Sequence, residues 1–235
     1  MIKNKKVYGI IPARGGSKGI KRKNLRKLGN KSLLYWAIYN AKKSKFIDEI
    51  IVSSDNKEIL LEAKKNKISL HRRPKMLSSD NSLVVNTLRN IYENVKKIDE
   101  KSIFVLLEPT SPFRNYKIID KCIKRLINEN LDSIATFNET KSNPERMWKI
   151  NGSKPEHFYG KKIIWKQRQN LNKFYELNGL VYCYFPKKLP DKIPNILFGK
   201  MGAEIVSKEY IIDIDTTEDL FIANAIFKSR KFSFN

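Results

Sequence analysis

Five cations, Arg14, Lys18, Lys21, Arg22 and Lys23, fall within ten residues of the stretch Val7–Asn24, VYGIIPARGGSKGIKRKN. The apolar run Val7–Ile11 ahead of them reads as a buried strand. Pro12 closes that strand, and Gly15 and Gly16 release the backbone into a loop. Such a loop turns backbone N–H groups inward as an anion nest while its cations neutralise phosphate charge. It is not a P-loop, because Ile20 stands where GxxxxGK(S/T) needs its second Gly, and it lacks the GxGxxG of dinucleotide folds. A solvated turn is the plain alternative, and the five cations after a strand favour phosphate. A second constellation is Asp213-Ile-Asp215. On a strand, residues two apart share a face, so both carboxylates point one way and Ile212 and Ile214 the other. Paired carboxylates repel unless a cation lies between them, and Mg²⁺ bound through one or two carboxylates, waters and phosphates fits that need. Alternatively, Asp213 faces solvent and Asp215 caps the next helix. A third is Glu108-Pro-Thr-Ser-Pro-Phe-Arg114, a loop stiffened by two prolines, in which an ion pair is the ordinary role of Arg114. A fourth combines Gln167-Arg168-Gln169 with Asn178-Gly179, where the Asn forms a turn or hydrogen-bonds a sugar.

The elements that must position these groups alternate between strand and helix. Leu33, Leu34, Ala37, Ile38 and Ala41 recur at helical spacing in a helix starting near Ser32. Glu49–Asp55 is a strand ending in Ser53, Ser54 and Asp55, with Asp55 placed to cap a helix over Lys57–Lys65. Ser78-Ser79-Asp80 can open a helix through Val84, Leu88 and Ile91. Ser102–Leu107 is the clearest buried strand, and a helix with Ile118, Ile119, Cys122, Ile123, Leu126 and Ile127 on one face follows. Ser133–Phe137, Gly179–Phe185 and Tyr210–Asp215 complete the strands, and a last helix opens at Thr216. This alternation predicts an α/β fold with a mainly parallel sheet. Ligands of such sheets sit beyond the strands' carboxyl ends, where the polar loops fall. Residues 138–178 break the pattern and scatter Trp148, Phe158, Tyr159, Trp165, Phe174 and Tyr175. They read as a protruding arm whose exposed aromatics mark a subunit interface, or as a long loop packed on its own core.

Composition narrows the function classes. With 47 Lys and Arg against 24 Asp and Glu, the net charge is +23, which raises nucleic-acid binding as a first thought. The lysines, however, are spread along the whole chain, as on a solvated surface. No stretch approaches the roughly 18 apolar residues of a membrane span. The apolar segment after MIKNKK is too short for a signal sequence, so a cytoplasmic location is expected. Cys122 and Cys183 lie in apolar patterns and read as reduced core residues. Two Cys and two His, His71 and His157, are a poor basis for a zinc site.

IIPARGGSKGIKRKN, EPTSPFR, RQN…ELNG and DIDTTED, in that order from Val7 to about Ala225, resemble the cytidylyltransferases that activate sialic acids. These are the CMP-N-acylneuraminate synthetases, with relatives for legionaminic and pseudaminic acid. The resemblance implies a Rossmann-like nucleotidyltransferase fold with a small dimerisation arm. It implies one domain over residues 1–235, the arm inserted at about 138–178, and a homodimer. It also implies Mg²⁺-dependent reaction of CTP with an acidic nine-carbon keto-deoxy sugar, giving the CMP-sugar and pyrophosphate. By matching position, Arg14, Gly15, Gly16, Ser17, Lys18, Lys23, Asn24 and Arg73 are nucleotide-binding. Arg14, Lys23 and Asp215 carry catalysis, and Asp213 and Asp215 hold the metal. Glu108, Arg146, Arg168, Asn178 and Tyr182 lie around the sugar, with Arg146 supplied near the neighbouring subunit's site. Glu108 stands where the family often has Gln, and Lys21 where it has Pro. Two other readings compete. One is a Kdo-type cytidylyltransferase, whose opening loop lacks the Gly-Gly-Ser-Lys-Gly run. The other is a basic nucleic-acid-binding module with steeply salt-dependent binding.

Overall fold

A computed structural model describes residues 2–158, 167–192, 194–207 and 211–229. Strand β1 (Val7–Pro12) is buried from Val7 to Ile11, as expected of a central parallel strand covered on both faces. The short strands β2 (Lys27–Leu28) and β3 (Lys31–Ser32) form a hairpin leading into helix α1 (Leu33–Lys43). Ser32 caps that helix as its spacing predicts, its Oγ accepting from the Tyr35 N–H at 2.9 Å. Strand β4 (Glu49–Ser54), helix α2 (Lys57–Lys65), strand β5 (Ser69–Arg72), helix α3 (Val84–Asn94) and strand β6 (Ile103–Leu106) follow. Helix α4 (Tyr116–Asn128) then leads to strand β7 (Ser133–Glu139). The exposed hairpin of β8 (Trp148–Asn151) and β9 (Lys154–His157) stands apart as its own two-stranded sheet. The chain returns through β10 (Tyr175–Tyr184) to β11 (Met201–Ile205) and closes with helix α5 (Thr217–Ser229).

The main sheet has the order β11-β7-β10-β6-β1-β4-β5 and is parallel except for β10, which runs antiparallel to both neighbours. The expected mainly parallel α/β sheet is therefore present. Connections from β1 step outward to β4 and β5, then return across β1 to β6. This reversal leaves a crevice between the carboxyl ends of β1 and β6, the place where open α/β sheets take ligands. One face of the sheet packs on α1, α2 and α4 through residues such as Ile38, Ile59, Cys122 and Ile123. The other packs on α3 through Val85, Leu88 and Ile91 against Tyr8, Ile10 and Phe104. A third cluster joins α5 to α1 and to the first loop through Ile20, Trp36, Ile214 and Ala223.

Three expectations need correction, and one strand was not expected. Asn56, not Asp55, caps α2, its Oδ1 accepting from the N–H groups of Glu58 and Ile59. The helix expected from Ser78-Ser79-Asp80 begins only at Val84, because Lys75–Ser78 forms a 3₁₀ turn and Asp80 is engaged elsewhere. Residues 211–215 form no strand, while Tyr210 lies outside the described residues. The Ile214 N–H goes to the Thr110 carbonyl at 2.9 Å instead of to a ladder. The strand that sequence patterning missed is β11, whose alternation is inverted. Glu204 is its buried residue, paired with Lys121 and Arg125, while Met201 and Ile205 face outward.

Candidate active site

The loop after β1 is fixed by hydrogen bonds that leave its cations on one side. Asn24, buried, donates from Nδ2 to the Arg14 carbonyl at 2.9 Å and ties the loop's two ends together. The Ser17 hydroxyl donates to the Ile20 carbonyl and accepts from the Lys23 N–H. The Gly15 N–H donates to Asp55 Oδ1 at 2.8 Å, so the carboxylate read as a helix cap instead anchors this loop to the end of β4. Glycine is required at position 19 for close approach. A Cβ there would lie 2.1 Å from the Asp215 carbonyl oxygen, so the first loop and the residues before α5 are in contact.

Four of the loop's five cations face a carboxylate, Arg22 lying 3.1 Å from Glu58. Arg14 Nη1 lies 3.0 Å from Asp80 Oδ1 and also donates to the Ser79 carbonyl, and Lys18 Nζ lies 3.6 Å from Asp80 Oδ2. Lys23 Nζ reaches Asp215 Oδ1 at 2.6 Å. Sequence reasoning missed Asp55 and Asp80 as anchors of this loop, since nothing in local spacing links them to residues 40 or more positions away. Arg73 is buried at the end of β4, donating to the Ser53 hydroxyl and carbonyl. Burial pulls its guanidinium down to about 10, with Asp55 opposing and Arg14 adding, which places all three in one electrostatic neighbourhood.

The two aspartates keep their predicted opposition to the isoleucines without a strand. Ile214 is fully buried and Ile212 packs on the same cluster, while Asp213 and Asp215 face out. Asp215 does not cap α5. Thr216 and Asp219 do so reciprocally, the Thr216 N–H donating to Asp219 Oδ2 at 2.8 Å and the Asp219 N–H to Thr216 Oγ1 at 3.2 Å. Loss of solvent raises the Asp213 carboxyl, a hydrogen bond from Thr110 opposes this, and Asp215 raises it further. Among the described residues no three His, Cys, Asp or Glu side chains form a metal cage. Two mutually repelling carboxylates beside a basic phosphate loop are nevertheless a donor set suited to a hard divalent cation that keeps waters and phosphate oxygens.

The loop after β6 closes the other side of the crevice. Arg114 makes no salt bridge among the described residues, contrary to its ordinary role. It is fully buried and clamps the loop by donating from Nε to the Leu180 carbonyl and from Nη2 to the Glu108 carbonyl. Burial draws it down to about 10, with Glu108 and Asp213 opposing. Burial pushes the Glu108 carboxyl up to about 7, Asp213 adds to the rise, and Arg114 and Lys23 oppose it. Tyr182, half-buried on β10 opposite Leu106, is pushed up to about 12 by burial and by the same two carboxylates. Asn178 accepts from the Thr136 hydroxyl at 2.7 Å and from the Leu180 N–H through Oδ1. The left-handed turn that follows it, at φ 70°, is supplied by Gly179. Thus Arg14, Lys18, Lys23, Asn24, Arg73, Glu108, Asn178, Tyr182, Asp213 and Asp215 gather at one end of the sheet. Arg146 lies elsewhere, in a 3₁₀ turn ahead of β8, and lines a cleft of about 420 Å³ with Glu139, Lys141, Gln169 and Lys173. Arg168 opens a short 3₁₀ turn, its side chain lying outside the described structure. Tyr159 and Trp165 also lie outside the described residues.

This arrangement can hold a polyphosphate between cations and a metal-suited carboxylate pair, with Glu108 and Asn178 on the side away from the first loop. The chain is similar to several known proteins. A pseudaminic acid cytidylyltransferase of Campylobacter jejuni is 29% identical over 222 residues, 93% of this chain and 95% of that one. A CMP-N,N'-diacetyllegionaminic acid synthase of Legionella pneumophila is 30% identical over 193 residues, covering 78% and 80% of the two chains. Among solved structures, a CMP:2-keto-3-deoxy-manno-octonic acid synthetase complexed with CTP superposes with a TM-score of 0.69 at 14% identity, over 95% of this chain and 99% of that one. The profile described as Cytidylyltransferase matches residues 8–221, and the chain belongs to the cytidylyltransferase family.

Proposed function

We propose that this chain transfers the cytidylyl group of CTP to a sialic-acid-like keto-deoxy sugar acid, releasing pyrophosphate. The observation that carries this reading is the meeting of the Arg14–Asn24 loop with the Asp213/Asp215 pair, sealed by the 2.6 Å contact of Lys23 with Asp215. The relatives named above act on pseudaminic and legionaminic acids. The octonic acid synthetase is similar in fold only, at 14% identity, and does not shift the acceptor toward an eight-carbon sugar.

Arg14, Lys18 and Lys23 grip the triphosphate, with Gly15, Gly16 and Ser17 allowing the backbone to approach it. Asn24 and Arg73 keep the loop and the end of β4 in place around the nucleotide. The anomeric hydroxyl of the sugar attacks the α-phosphorus, the bond to the β-phosphate oxygen breaks, and the hydroxyl proton leaves to solvent. The protein contributes orientation and neutralisation of charge on the transferring group, the main demands of phosphoryl chemistry. Mg²⁺ held by Asp213 and Asp215 would supply charge neutralisation and acidify a coordinated hydroxyl. Glu108, Asn178, Tyr182 and Arg168 line the acceptor side. Arg146 on the arm serves the partner's site in a homodimer, and the enzyme works in the cytoplasm, where CTP is made. The test is pyrophosphate release from CTP with a panel of nine- and eight-carbon keto-deoxy sugar acids, with and without Mg²⁺. Release with a nine-carbon acid, dependent on Mg²⁺, is expected. Silence across the panel from folded protein overturns the reading. CTP should also bind in preference to oligonucleotides, and the reverse order would favour the nucleic-acid alternative.

A further inference from the structure

The edge strand β5 carries a single buried side chain, His71. Side chains alternate along a strand. Leu70 and Arg72 therefore lie on the side of Leu60 and Leu61 of α2, and His71 turns the other way, to Asn90 of α3. An apolar residue would fill such a position freely, whereas a buried imidazole is costly unless both nitrogens are bonded. Both are. Nδ1 lies 2.9 Å from the Ser53 hydroxyl, and Nε2 lies 3.1 Å from Asn90 Oδ1. Ser53 is the partner of His71 in the parallel register of β4 with β5, and it is fully buried.

The direction of these bonds follows from Ser53. Its Oγ accepts from Arg73 Nε at 3.2 Å, and among the described residues its own hydrogen has no acceptor other than His71 Nδ1. The ring proton therefore sits on Nε2 and is donated to Asn90. Burial holds the imidazole below its usual value, with Asn90 opposing and the Arg73 charge adding, so the ring is neutral. Ser53 grips the Arg73 guanidinium at its hydroxyl and, through Nη2 at 2.9 Å, at its carbonyl. The carbonyl is fixed, since it also accepts from the Ala13 N–H at the start of the first loop. The hydroxyl rotates unless His71 holds its hydrogen. No hydrogen bond among the described residues uses Arg73 Nη1, and Arg14 and Asp55 act on the same guanidinium. We infer that His71 is a positioning residue for the nucleotide, aligning the Ser53 hydroxyl so that Arg73 is held in the orientation that meets CTP. This deepens the proposed function and rests on it.

The experiment measures the Kd of CTP by calorimetry for the wild type, Arg73→Lys, Ser53→Ala, His71→Leu, His71→Asn and the double variant His71→Leu/Ser53→Ala. Leu fills the imidazole's space without an acceptor, whereas Asn sets an amide oxygen where Nδ1 stood and still accepts from Ser53. Arg73→Lys should raise Kd about tenfold or more, and His71→Leu and Ser53→Ala about 3–10-fold each. The double variant should bind within about twofold of the weaker single variant, because both substitutions break one link. His71→Asn should return Kd to within about twofold of wild type, which a merely space-filling histidine would not allow. Wild-type affinity in His71→Leu, additive losses in the double variant, or an Asn variant no better than Leu overturns the inference. Should His71→Leu fail to unfold cooperatively, Ser53→Ala decides, and wild-type affinity there overturns the inference equally. Wild-type affinity in Arg73→Lys also overturns it. A wild type that binds no CTP overturns the functional reading itself, whereas CTP binding that is indifferent to His71 and Ser53 overturns this inference alone.

Discussion

Lys23 and Asp215 are separated by 192 positions and meet at 2.6 Å, so a single substitution tests whether the pair serves the proposed catalysis or stability. Asp215 is largely solvent-exposed, and such ion pairs contribute at most about 1 kcal/mol to stability. Asp215→Ala is therefore expected to leave the thermal unfolding midpoint within a few degrees of wild type and to lower kcat roughly 10²–10³-fold or more, measured by pyrophosphate release. Gly19→Ala should behave differently. Its methyl would meet the Asp215 carbonyl oxygen, a main-chain atom that cannot swing away, so about 1–3 kcal/mol of stability should be lost together with nucleotide affinity, read by denaturant titration and by the KM for CTP. Glu108 gives a pH signature. Its carboxyl rises from 4.5 to about 7 on folding, so between those values the native state holds more of the proton than the unfolded state does. Stability should then fall as pH rises through that window, by no more than about 3 kcal/mol. Glu108→Gln should flatten the decline between pH 4.5 and 7.5 in urea unfolding. The charged loop that carries Arg14 and Lys23 was legible because cations and glycine cluster locally in sequence. The roles of Asp55 and Asp80 were not, because each acts across a gap in sequence that only the folded sheet closes.

At the scale of elements, burial pattern decided what could be read. Strands β1, β4 and β6 are near-continuous apolar runs, and α1 and α4 carry clear helical stripes, so these strands and helices could be anticipated. Strand β11 could not, since its buried position is a Glu held by Lys121 and Arg125 and its apolar residues face out. Residues 211–215 misled in the opposite sense. They alternate as a strand does, but their job is to pack Ile214 beneath the first loop, with one main-chain bond to Thr110. The start of α2 shows the same competition between neighbours. Asn56 caps the helix, freeing Asp55 to hold Gly15. Asn56→Ala should cost about 1 kcal/mol of stability with CTP binding little changed. Asp55→Ala should instead raise the KM for CTP more than it lowers stability, because it releases the loop and leaves the helix capped. Denaturant unfolding and CTP kinetics on the two neighbouring variants separate these roles.

At the scale of the molecule, the mainly parallel sheet supplies a rigid floor, and the loops after β1, β4 and β6 leave from one end of it. The hairpin of β8 and β9 stands outside this plan, with Trp148 and Ile150 exposed. In the homodimer proposed above, deleting residues 148–157 should yield monomers in sedimentation experiments and lower activity by removing the support of Arg146. A dimer that persists unchanged would place the interface elsewhere. The contact between residue 19 and the Asp215 carbonyl has a further bearing, on the order in which the protein is made. The phosphate loop emerges near the start of translation, whereas its metal-suited carboxylates and the α5 packing against Trp36 and Leu28 emerge near the end. At ordinary elongation rates that interval is roughly 10–40 s. Throughout it, Lys23 lacks its Asp215 partner and the face of the loop that Gly19 presses onto the Asp215 carbonyl stays uncovered, whereas Arg14, Lys18 and Arg22 already have theirs in Asp80 and Glu58.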